Sequence, residues 1–115
     1  MEFGQNKPIY IQIADSFYEK VLSGALVDGA RVPSVRETAA DLGVNPNTVM
    51  RSYELMTSDG IVFNKRGIGY FISEGSRSKV LEAQRRAFLE EEWPEISRRM
   101  KLLGIELEEL PGVGE

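Results

Sequence analysis

The sequence predicts a mostly α fold with a small β-hairpin wing, and three observations along the chain predict it. Between Ser34 and Gly60, two sets of helix start and stop signals flank a two-residue turn, Gly43-Val44. Immediately after, Ile61 to Ile72 runs apolar, basic, apolar, which reads as strand, tip and strand. Beyond Glu74-Gly75-Ser76 the composition turns helical, with apolar residues recurring at helical spacing. Together they describe a winged helix-turn-helix domain over residues 1–75, followed by a short helical dimerisation arm over residues 76–115.

In chain order, Met1 to Lys7 is polar, and Pro8 then stands where a first helix turn tolerates it, starting a helix to Ser23 with Gly24 beyond. Ile9, Ile13, Phe17 and Val21, with Tyr10, form its expected buried stripe. Asp28-Gly29 is a turn. Ala30 to Val32 is extended, since Pro33 disfavours helix in the residue before it, and is placed to pair with the wing; Arg31 reads as a solvated edge residue. Ser34 and Glu37 have the spacing of a capping box, in which the hydroxyl takes the Glu37 amide and the carboxylate reaches back to the Ser34 amide. The helix they start carries Ala39, Ala40 and Leu42, small enough in part for close packing, and Gly43 turns the chain. Asn45 caps the next helix, Pro46 opens it and Gly60 ends it, so it runs to about Ser58. On it Val49, Ser52, Tyr53 and Met56 share one face, while Asn45, Asn47, Thr48 and Arg51 lie toward the start of the other.

Asn, Thr and Arg at a helix start can pair with major-groove base edges, Asn with adenine and Arg with guanine. Any amphipathic helix also needs a polar face, and for this helix alone the plainer account is sufficient. The following hairpin shifts the balance, because Lys65, Arg66 and Gly67 at its tip are suited to phosphates or the minor groove. Double-stranded DNA is the partner this combination implies.

The bulk charge points the other way. The chain carries a net charge of -4, and residues 1–75 hold seven basic residues (Lys7, Lys20, Arg31, Arg36, Arg51, Lys65, Arg66) against nine acidic ones. A DNA footprint must therefore be local, and Arg36, Arg51, Lys65 and Arg66 supply it. A winged-helix module that binds protein without binding DNA is the alternative the acidic balance favours. The absence of Cys and His removes the usual zinc ligands, thiol nucleophiles and general bases, so no enzyme, no cofactor and no metal site is expected. Glu90, Glu91 and Glu92 are consecutive and diverge on a helix, which makes them a solvated acidic face rather than a metal or catalytic pair. Gly67-Ile68-Gly69 sits in a hairpin with no helix after it, so it is no dinucleotide fingerprint. With no apolar run near the ~20 residues of a membrane span and no signal segment, a cytoplasmic protein is expected.

The arm reads as a helix from Lys79 to about Trp93, then a second helix that Pro94 begins and Gly104 interrupts. Ile96, Met100, Leu103, Leu107 and Leu110 recur along it. With Val80, Leu81, Phe88 and Trp93, these residues have too little surface to bury one another, so a second copy of the chain is the expected cover.

The run LVDGARVPSVRETAADLGVNPNTVMRSYELMTSDGIVFNKRGIGYFI resembles the amino-terminal domain of GntR-family bacterial transcription regulators. The matching positions are Gly29, Val32 to Ser34, Arg36, Glu37, Asn47 to Val49, Gly60 and Gly67 to Tyr70. With so short a remainder and Pro8-Ile9-Tyr10 opening the first helix, the chain is most similar to the YtrA-like subfamily. The resemblance implies a homodimeric regulator, commonly a repressor, on an inverted-repeat operator. It also implies that Arg36 meets backbone phosphate. Pro46 and Met50 stand where relatives in other subfamilies carry DNA-contacting arginines, so base recognition is expected to differ, with Met50 suited to a thymine methyl. Neither the operator nor a small-molecule effector is identified by any residue.

Overall fold

The computed structural model describes residues 7–113, so all but the last residue of the polar stretch Met1 to Lys7 lies outside the described residues. The chain falls into two compact units, Met1–Leu81 and Glu82–Glu115. The first holds α1 (Ile9–Ser23), β1 (Arg31–Val32), α2 (Val35–Leu42), α3 (Pro46–Ser58), β2 (Val62–Lys65), β3 (Gly69–Ile72) and the first residues of α4 (Ser76–Ala87). This is a winged helix-turn-helix, mostly helical with one small sheet.

Local signals set the helix limits. The Pro8 carbonyl accepts from the Ile11 and Gln12 amides, opening α1, and Gly24 closes it in the left-handed conformation at φ 88°. Gly43 closes α2 in the same way at φ 67°, and its single-residue reversal lets α3 start only three residues later.

The strands form one antiparallel sheet in the order β1-β3-β2, with Val62 opposite Ile72, Phe63 opposite Phe71 and Arg31 also opposite Phe71. Alternation along the strands turns Val32, Val62 and Ile72 into the core, leaving Phe63 and Phe71 stacked on the outer face with centroids 5.8 Å apart. The core joins Ile13, Ala14, Phe17 and Val21 of α1, Ala39 of α2, and Val49, Tyr53 and Met56 of α3. The sheet side adds Val32, Ile61, Val62 and Ile72, and α4 adds Val80. Ser76 is also fully buried, its hydroxyl donating to the Ile61 and Ser73 carbonyls.

Several expectations change. Ile9 begins the α1 stripe but is half exposed, and Ala14 is buried on that helix instead. Asn64 and Lys65 belong to β2, so the loop is Arg66, Gly67 and Ile68, closed by the Ile68 amide on the Lys65 carbonyl at 2.8 Å. Gly67 takes φ 79°, the left-handed position such a short loop requires.

In the second unit, Pro94 does not begin a separate helix. The helical backbone passes from α4 through a π-helical turn, Phe88–Glu92, into α5 (Trp93–Leu103). Proline lacks the amide that would reach Glu90, and its ring crowds that carbonyl; a widened turn absorbs both effects without a break. Within it the Trp93 amide donates to the Phe88 carbonyl. Gly104, at φ 67°, ends α5, and only a short 3-10 turn, Leu107–Glu109, follows. No helix among the described residues is long and apolar enough to cross a membrane.

Candidate nucleic-acid interface

Three segments of the first unit present polar side chains outward: the start of α2, the start of α3 and the wing loop. The capping box at α2 is complete. The Glu37 amide donates to Ser34 Oγ at 3.1 Å, and the Ser34 amide donates to Glu37 Oε1 at 2.8 Å. The Ser34 backbone hydrogen bond, then its hydroxyl, hold the Glu37 carboxyl below the usual glutamate range, with Arg31 a smaller contributor. A carboxyl lowered by folding stabilises above its unfolded range and loses that contribution as pH falls through its folded range. Thermal unfolding of Glu37→Gln, which keeps a capping group at that position, should therefore fall less steeply on acidification than that of the parent. Arg36, in the same turn, is exposed and makes no hydrogen bond or ion pair among the described residues.

At α3 the Asn45 side chain accepts the Asn47 amide at 2.7 Å, which fixes the cap and leaves the side chains of Asn47 and Thr48 without protein partners among the described residues. The opposite face, Val49, Ser52, Tyr53 and Met56, is completely buried, so the helix cannot rotate to hide its polar side. Arg51 stacks on Tyr10 of α1, its guanidinium carbon 4.0 Å from the ring centroid, which orients the fork without using its donors. The Met50 sulfur accepts from the Tyr70 hydroxyl at 3.8 Å, a contact between α3 and the wing.

Tyr53 ties these segments together. Its ring meets Phe17 of α1 edge-on at 5.7 Å and Tyr70 of β3 at 4.9 Å. Its hydroxyl donates to the Pro33 carbonyl at 2.6 Å and shares a 2.8 Å hydrogen bond with Thr38 of α2. One buried side chain thereby references α3 to α1, to α2, to the residue after β1 and to the wing. In the wing, Arg66 and Gly67 are exposed in the loop, and Lys65 lies over the Phe71 ring at 5.7 Å.

Sequence reasoning missed the roles of Tyr10, which it assigned to the core, of Thr38, and of Arg31. Arg31 lies 3.8 Å from Glu37 and beside Gly69. The spacing of Tyr10 and Arg51 carries no local signal, because their contact joins two helices.

In the second unit, Phe88, Trp93, Ile96 and Leu103 are exposed and Met100 is half-buried. Five residues separate Phe88 from Trp93, about one π turn, whereas an α-helix of the same length would turn Trp93 ~100° or more away. The π turn thus brings Phe88 and Trp93 toward the same side. Leu81 is exposed on α4. Among the described residues no cluster of potential metal ligands occurs.

The chain is 38% identical over 109 residues to the HTH-type transcriptional regulator YhcF of Bacillus subtilis, covering 95% of this chain and 88% of that protein. It is 35% identical over 103 residues to the HTH-type transcriptional repressor YtrA of the same organism, covering 90% and 78%. A crystal structure of a transcriptional regulator of the GntR family from Bacteroides thetaiotaomicron superposes with a TM-score of 0.70 at 41% identity, covering 89% of this chain and 88% of that one. The family model for bacterial regulatory proteins of the gntR family matches residues 9–72, more than half of the chain. The chain belongs to the GntR family of bacterial transcription regulators.

Proposed function

We propose that this regulator acts in the cytoplasm as a homodimeric repressor, reading double-stranded operator DNA with the start of α3 and holding the backbone with the start of α2 and the wing. The observation that carries the reading is α3 itself: one face fully buried, the other offering Asn47, Thr48 and an Arg51 held in place by Tyr10. Asn47 and Arg51 are one helical turn apart and suit base edges; Met50 suits a thymine methyl. Arg36, Thr48, Lys65 and Arg66 suit phosphates, Gly67 lets the loop backbone approach closely, and Asn45 fixes the register of the helix start. The division of labour falls within α4, whose first residues complete the amino-terminal core, with the dimer supplied by Leu81 and, beyond it, Phe88, Trp93, Ile96, Met100 and Leu103. The reaction is binding alone, with no enzymatic step.

The test separates the two contact classes in a gel shift. Arg66→Ala should weaken binding to a matched and a scrambled duplex about equally, and selective loss on the matched site would make the wing a base reader. Asn47→Ala and Arg51→Ala should each cost on the order of 1–3 kcal/mol on the matched site and less on scrambled DNA. Equal losses would remove them as readers.

A further inference from the structure

We propose that Arg31 is a further contact to the DNA backbone, joining the α2 start to the wing in one phosphate-binding surface; this rests on the DNA reading above. Arg31 occupies the edge strand β1, where its side chain reaches two elements. On one side its guanidinium lies beside Gly69 of β3, where a Cβ would stand in van der Waals contact, 3.4 Å from Nε. Gly69 is the register partner of Lys65, the last strand residue before the wing loop. On the other side its Nη1 is 3.8 Å from Oε1 of Glu37, the carboxylate that closes the α2 cap next to Arg36.

The Glu37 contact does not account for Arg31. At 3.8 Å, with side chains 52% and 62% exposed, it is a loose surface pair of a kind that contributes little to stability. The carboxylate is held instead by the Ser34 amide at 2.8 Å, and would be held without Arg31. No hydrogen bond uses the guanidinium among the described residues, so its donors are free for phosphate oxygens. Arg31 also offsets a specific penalty, because Glu37 places a negative charge at a helix start that would otherwise favour phosphate. The two residues therefore act on DNA affinity with opposite signs.

Binding of the full chain to matched and scrambled duplexes, measured across a salt series, tests this with Arg31→Ala, Arg31→Lys and Glu37→Gln. Loss of one phosphate contact lowers the slope of log affinity against log salt by about 0.9, so a fourfold rise in salt should cost Arg31→Ala about 3.5-fold less than it costs the parent. The change should be equal on both duplexes, Arg31→Lys should keep the parent slope, and Glu37→Gln should bind more tightly. Thermal unfolding of Arg31→Ala should match the parent. An unchanged slope in Arg31→Ala, or Arg31→Lys behaving like Arg31→Ala, would overturn the assignment alone. A parent that binds neither duplex would overturn the DNA reading and this assignment with it.

Discussion

Tyr53→Ala should destabilise the amino-terminal unit by about 3–5 kcal/mol, the range for deleting a buried aromatic ring. Small domains have only about 5–15 kcal/mol in total, so this removes a large share of the unit's stability. The ring is completely buried and meets both Phe17 and Tyr70 edge-on, so its removal opens a cavity between α1, α3 and the wing. Tyr53→Phe keeps the ring and removes only the hydroxyl, leaving the Pro33 carbonyl and the Thr38 hydroxyl short of a partner. That loss should cost about 1–3 kcal/mol. Urea denaturation followed by circular dichroism measures both, and losses below about 1 kcal/mol for the alanine variant would show that Tyr53 is not the hub.

Trp93→Asp combined with Ile96→Asp should convert the proposed dimer to a monomer and lower affinity for a two-half-site operator about 10²–10⁴-fold, the advantage of linking two binding modules. Aromatic residues at interface centres each contribute about 2 kcal/mol or more, and a carboxylate buried in an apolar seam adds its desolvation cost. Trp93 and Ile96 are exposed and lie one turn apart on α5. Neither side chain is buried in the described core, and affinity for a single half-site should stay unchanged. Light scattering and fluorescence anisotropy decide the matter. A variant that remained dimeric and bound tightly would place the dimer surface elsewhere.

The sequence revealed most where structure depends on a few neighbouring residues. The Ser34–Glu37 box, the Asn45 cap, the limits of α3 and the left-handed glycines at 24, 43 and 60 were all readable because capping acts within one turn. Val49, Ser52, Tyr53 and Met56 were readable as a buried face because helical period fixes which residues share a side. What escaped depends on packing between distant elements. Ile9 has the right spacing on α1 but is half exposed at the start of the helix. The Arg51–Tyr10 stack and the Tyr53–Thr38 hydrogen bond join residues far apart in the chain. Pro94 suggested a break because proline usually disrupts an α-helix, whereas the chain widens into a π turn instead. The interval of five from Phe88 to Trp93 was the available clue, being out of phase with an α turn and in phase with a π turn.

Selection of the full chain against a random duplex pool, followed by anisotropy on the winning sequence, measures operator recognition itself. An inverted repeat with half-site centres about 10 base pairs, or a multiple, apart should be enriched. Two protomers should bind per duplex, at least about 10³-fold more tightly than on a scrambled duplex, with affinity falling steeply as salt rises. No enriched sequence, or equal affinity for selected and scrambled duplexes, would contradict operator recognition and leave the exposed face of α3 as a surface for protein.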